Sequence, residues 1–136
     1  MYKYTVTYYD YNDEQVTEDL YFNLTKNEAL DWELECGGLD AYVEKMKATN
    51  DTKEVIEFFR SIFKKTYGRR SADGKRFKKN DEILEEFLES PAYDEVIFNL
   101  LNNPDEAAKF MVGIMPHDSR AAAAKAIEDE LKNAEA

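Results

Sequence analysis

Only one nucleophile–base pair can be assembled from this sequence. Cys36 is its single cysteine and His117 its single histidine. An imidazole activates a thiol only within hydrogen-bond reach. Nothing in the spacing brings these two segments together. Cys36 therefore reads as a buried, small apolar residue at a helix end, and His117 as a loop residue. A lone cysteine also excludes a disulfide framework and a multi-cysteine zinc site, and a lone histidine excludes a His-rich metal centre. Gly68 and Gly74-Lys75 hint at a phosphate loop. However, five residues separate the glycines where a P-loop has four, and Arg76 stands where Ser or Thr would hold the metal. Asp10, Asn12 and Glu14 mimic the first ligands of a calcium loop, but Gln15 and Tyr21 replace the glycine and glutamate that loop needs. Acidic pairs such as Asp13-Glu14, Glu85-Glu86 and Asp129-Glu130 fit solvated helix faces. None has a setting that would split two carboxyl pKa values for acid/base work. No catalytic residue, metal or cofactor is assigned, and the expected activity is binding rather than catalysis.

Charge is the more informative chemistry. The chain has 136 residues and a net charge of −11. Residues 64–79 hold eight basic side chains (Lys64, Lys65, Arg69, Arg70, Lys75, Arg76, Lys78, Lys79) against Asp73 alone. That window is +7, which leaves −18 on the other 120 residues. The polarity admits two main readings: a solvated segment that offsets acidic helices, or a site for a protein partner or a second copy. Phe77 inside the run suits stacking on a base, but the acidic remainder repels phosphate, so neither nucleic acid nor an anionic membrane is an expected partner.

These side chains must be positioned by a mostly helical chain. Tyr2, Tyr4, Val6 and Tyr8 alternate with polar residues, and Val16, Leu20 and Phe22 continue the period of two. Asn12-Asp13 between them suits a turn, which predicts a β-hairpin over 1–24. Thr25-Lys26-Asn27-Glu28 is a capping box that opens a helix ending at Gly37-Gly38. Leu39, Tyr42, Val43 and Met46 follow at helical spacing. Asp51-Thr52-Lys53-Glu54 repeats the start signal before Val55, Ile56, Phe58, Phe59, Ile62 and Phe63, a broad apolar face that reads as the central core helix and stops at Gly68. Residues 68–80 read as an exposed basic loop. Further helices carry Ile83, Leu84, Phe87 and Leu88; then, after Ser90-Pro91, Tyr93, Val96, Ile97, Leu100 and Leu101; and, after Asn103-Pro104, Ala107, Phe110, Met111 and Ile114. The expected fold is α+β and predominantly helical. It is one domain over 1–116, with the hairpin packed on about six short helices (25–67 and 81–116), followed by an Ala-rich tail or loosely attached helix over 117–136. No apolar run is long enough to span a membrane. The start has no signal-peptide pattern, so the Asn-x-Thr triplets at Asn23 and Asn50 read as chance matches.

Several segments, in order, carry a resemblance. These are Tyr67-Gly68-Arg69-Arg70-Ser71-Ala72-Asp73-Gly74-Lys75-Arg76-Phe77, Glu85-Glu86-Phe87, Ser90-Pro91-Ala92-Tyr93-Asp94-Glu95, Ala107-Ala108-Lys109-Phe110 and Gly113-Ile114-Met115-Pro116. Together they resemble the tail assembly chaperones of long-tailed siphophages, over roughly residues 1–116 and most strongly 67–116. The hairpin and the Leu24-Thr25-Lys26 entry are also similar to that group. The resemblance implies a protein that binds the tape-measure protein in the host cytoplasm, keeps its helices soluble, helps recruit tail-tube subunits and is absent from the mature virion. It also implies that a longer form can arise by programmed frameshift, and Leu131-Lys132-Asn133 is compatible with a slippery A-AAA-AAC run. Candidate partner-binding residues are Arg69, Arg70, Lys75, Arg76 and Phe77 in the basic run and Phe87, Phe110, Met111 and Met115 as an adaptable apolar face. For the apolar set, ordinary core is the competing reading. A homo-oligomer is compatible with the same features. So is a different function, an acidic inhibitor or DNA mimic acting on a host nucleic-acid enzyme.

Overall fold

Alternation builds the first element as expected. The computed structural model describes residues 1–48 and 52–135, with side chains at 43, 45–48 and 130–135 outside the description. Strands β1 (Tyr2–Tyr9) and β2 (Gln15–Phe22) pair antiparallel in a register running from Tyr2 opposite Phe22 to Tyr9 opposite Gln15. Tyr4, Val6, Leu20 and Phe22 face the core, while Lys3, Thr5, Thr7, Thr17 and Asp19 face solvent. The connecting turn is held by the Asp10 carboxylate, which accepts the N–H groups of Asn12 at 2.8 Å and Glu14 at 3.0 Å. Asp13 takes a left-handed φ of 58°, a conformation Asp tolerates better than most residues. The acidic triplet that mimicked a calcium loop is thus occupied with a turn.

The stretch 68–80, expected as a loop, instead adds two strands. Strand β3 (Tyr67–Arg70) pairs with β2, and β4 (Phe77–Lys78) pairs with β3, so the sheet order is β1-β2-β3-β4. The pairs are Tyr21 opposite Gly68, Phe22 opposite Tyr67, Arg69 opposite Lys78 and Arg70 opposite Phe77. These strands are too short and too charged to announce themselves; β2 supplies the template that local propensity lacks. Gly68 belongs to the strand and does not end the preceding helix. A Cβ there would come within 2.6 Å of the Lys78 carbonyl oxygen.

Helix α1 (Lys26–Cys36) opens with the expected capping box: Glu28 N–H donates to Thr25 Oγ1 at 3.2 Å, and Thr25 N–H to Glu28 Oε1 at 2.9 Å. It ends at Gly37, whose φ of 82° is a left-handed cap. Helices α2 (Gly38–Ala48) and α3 (Thr52–Thr66) follow. The start signal read at Asp51, and the Val43 and Met46 side chains, lie outside the described residues. Asn80 caps α4 (Asp81–Leu88), Ser90 caps α5 (Pro91–Asn102) and Asn103 caps α6 (Pro104–Gly113), each by accepting a backbone N–H of the first turn. A 3₁₀ turn (His117–Ser119) leads to α7 (Arg120–Glu135), which packs on α2 and α6. Ala123 and Ile127 of α7 are buried, so the tail is anchored at least over that stretch; the Leu131 side chain is outside the described residues.

The core is aromatic. Phe22 of the sheet meets Phe63 of α3 at 5.4 Å and Phe110 of α6 at 5.1 Å, and Phe63 meets Phe110 at 5.3 Å. Tyr67 and Phe87 stack at 4.1 Å. Such pairs add about 1 kcal/mol each beyond the area they bury. The strand-to-helix junction is tied to distant helix ends: Asn23 N–H donates to the Thr66 carbonyl at 2.9 Å and Leu24 N–H to the Ile114 carbonyl at 2.8 Å. No helix is long and apolar enough to cross a membrane among the described residues.

Candidate functional site

The basic run divides into a structural part and a displayed part. Lys79 is structural. Its ammonium donates to the Asn23 and Lys65 carbonyls at 2.8 Å each and to both Glu28 carboxylate oxygens at 2.8 and 2.7 Å. One side chain thus ties the sheet end, the start of α1 and the end of α3. Burial acts to raise the Glu28 carboxyl pKa, but the bonds from Lys79 and Thr25 outweigh it and leave the pKa below the ordinary value. Arg69 pairs with Glu86 of α4, and Lys65 lies 3.5 Å from Glu35 of α1.

Arg70, Lys75, Arg76 and Lys78 form the displayed part. All four are exposed, with no carboxylate within ion-pair distance among the described residues. The β3–β4 turn that carries them is well held. Ser71 Oγ donates to Asp73 Oδ1 at 2.6 Å, the same oxygen accepts Lys75 N–H at 3.0 Å, and Ser71 N–H meets the Arg76 carbonyl at 2.9 Å. The Ser71 and Lys75 bonds hold the Asp73 carboxyl pKa below its usual value, so the one acid in the run stays ionised within the turn. Gly74 has φ 75°, and a Cβ there would lie 2.6 Å from Arg70 Nη2. The tip is therefore a braced presentation of cations. Phe77 is half-buried, lies against Gly68, and has the Lys79 ammonium 5.8 Å from its ring centroid.

The apolar candidates divide as well. Phe87 is 2% exposed and Phe110 and Met111 are 0% exposed, so these three are core and offer no surface. Their helical spacing is equally compatible with either role, and the packing of α4 and α6 decides it. Met115 alone reaches a surface feature. It lines a cleft of about 280 Å³ with Ala29, Leu30, Trp32, Leu39 and Pro116, edged by Glu33, Asp40 and Lys26, whose ammonium pairs with Asp118 at 2.9 Å.

Beside that cleft lies the feature sequence reasoning missed. Leu30 is 53% and Leu34 75% exposed, one turn apart on α1. Helix α1 buries Trp32 on its other side and sets Asp31 and Glu33 on opposite flanks of the leucine pair. The detectable signal was a helix with apolar residues on two faces, only one of which can reach the core. The outcome is an apolar stripe running into a cleft with an acidic margin, suited to an amphipathic segment that also carries basic residues.

Cys36 and His117 share no hydrogen bond among the described residues. Cys36, expected to be buried, is instead exposed at the end of α1 and lines a separate cleft with Ala41, Glu57 and Phe58, while His117 opens the 3₁₀ turn. No curated protein and no solved structure matches this chain. A family model described as phage tail assembly chaperone matches residues 1–136, and the chain belongs to that family.

Proposed function

We propose that this phage tail assembly chaperone acts as a holding protein for the tape-measure protein in the host cytoplasm, keeping it soluble until tail-tube subunits are recruited, and then leaves before the virion is complete. The observation that carries this reading is the exposed Leu30–Leu34 stripe joined to the Met115 cleft. The stripe offers an amphipathic client helix apolar contacts at one-turn spacing. Asp31, Glu33 and Asp40 attract basic residues that flank such a helix. The net charge of −11 keeps the loaded complex soluble. The work needs binding and release and no bond making, so no catalytic group is invoked. The displayed Arg70, Lys75 and Arg76 serve a second contact with an acidic protein surface, for which a tail-tube subunit is the candidate; Arg69 and Phe77 brace that tip.

The test is co-expression with the tape-measure gene, scoring the soluble fraction of its product. The wild-type chain is expected to raise that fraction and Leu30→Ser/Leu34→Ser to lose the effect while remaining folded. A tape-measure protein equally soluble alone would remove the proposed activity. Full activity of the double variant would move the contact off α1.

A further inference from the structure

The sheet ends on β1, which has no strand partner on its outer side, and α5 packs along it. The hairpin closes with a hydrogen bond from Asp10 N–H to the Glu14 carbonyl. Antiparallel ladders alternate, so the even-numbered residues of β1 bond inward to β2. The N–H and C=O groups of Lys3, Thr5, Thr7 and Tyr9 then point away from the sheet. None of these N–H groups meets an acceptor among the described residues. Edge strands are normally shielded by proline, a bulge, clustered charge, a short length or a covering helix or loop; α5 meets β1 through Tyr4 and Tyr8, whose side chains face away from the odd-numbered ones. β1 has eight residues in unbroken register, no proline, and one charged residue, Lys3.

The strand is also electrically lopsided. Its start carries Lys3, with Arg120 close to Met1. Its far end carries Asp10, Asp13 and Glu14. A parallel neighbour of the same sequence would set like charges together. An antiparallel one sets each basic start against the partner's acidic turn, twice over by symmetry.

We infer that β1 pairs with β1 of a second copy, antiparallel about a two-fold axis at Val6, joining the two four-stranded sheets into one. In this register Thr5 stands opposite Thr7 and Lys3 opposite Tyr9, and Tyr2 stands opposite Asp10. The outward groups of the odd-numbered residues bond one another, and no like charges face across the seam. The contact is a backbone ladder with two charged ends, so the dimer is a reversible association and not an obligate one. This surface is distinct from the α1 stripe and independent of the client reading.

The test combines sedimentation equilibrium of the full chain, up to about 0.5 mM, with amide hydrogen exchange at the same concentrations. A dimer is expected, with the Thr5 and Thr7 amides protected at high concentration and labile on dilution. The Val6 amide, bonded within the hairpin, is protected throughout and serves as reference. Thr7→Pro removes an outward donor without touching the hairpin ladder and should weaken the dimer about thirtyfold or more. Lys3→Glu should weaken it less, with a reduced salt dependence. A chain that stays monomeric over the range, or a dimer whose Thr5 and Thr7 amides exchange as fast as open loop, overturns the proposal without recourse to any variant. So does protection that arises only when tape-measure protein is added, which would give the edge to a client strand.

Discussion

Helices α1 and α3 use their apolar side chains in opposite ways. In α3, Phe59, Ile62 and Phe63 fall on one side and vanish into the core, with Thr66 Oγ1 turned back to donate to the Ile62 carbonyl at 2.8 Å. In α1, Trp32 goes inward while Leu30 and Leu34 go out. A helix with one apolar face has a single way to satisfy it. A helix with two must leave one for something else, or leave it wet at a cost of roughly 25 cal/mol per Å². The contrast teaches where stability and recognition are kept: α3 holds the fold, and α1 holds surface that the fold does not need.

The sharpest way to break that division is at Phe63. Phe63→Ala removes a ring that meets Phe22, Phe59, Phe87, Tyr93 and Phe110, and should cost about 3–5 kcal/mol in urea unfolding. Next is Lys79→Met, which leaves two carbonyls and the Glu28 carboxylate without their donor. A loss of about 2 kcal/mol is expected by the same measurement. The Glu28 contact adds a pH signature. Its folded pKa lies below the ordinary 4.5, so its stabilisation is present above that value and fades as pH falls through the folded pKa. Urea midpoints should therefore fall less steeply between pH 6 and pH 3 in Glu28→Gln than in the wild type, to the extent that this pair contributes. Gly74→Ala, forced into a left-handed backbone against Arg70, should cost about 1 kcal/mol and register mainly as faster exchange of the Arg76 amide. Smallest in stability is Leu30→Ser/Leu34→Ser, within about 0.5 kcal/mol of wild type. If that pair destabilised the chain as Phe63→Ala does, the division between the two helices would collapse.

The parts of this fold that were legible in the sequence are those written locally. The hairpin alternation, the Thr25–Glu28 box and the Ser90-Pro91 and Asn103-Pro104 starts each need only a few neighbouring residues to act. Strands β3 and β4 were not legible because β3 exists through pairing with β2, more than forty residues earlier, and β4 through pairing with β3. Lys79 read as one cation among eight, since its carbonyl acceptors belong to segments that meet only in three dimensions. Phe87, Phe110 and Met111 carried the spacing of a helix face without saying whether that face was inner or outer. The Leu30–Leu34 stripe was hidden for the converse reason: only the placement of Trp32 against the core tells which side of α1 is left over.

The bond from Leu24 N–H to the Ile114 carbonyl has a consequence for synthesis. The amide is made some ninety residues before its acceptor. The Thr66 carbonyl that receives Asn23 N–H arrives earlier, but still well behind the strand it secures. During translation the leading hairpin is a two-stranded ribbon with its aromatic underside uncovered, marginal in water by itself. Its final seating waits until α6 has emerged, so this chain matures late and nearly all at once, and truncation before Ile114 should leave the nascent hairpin undocked.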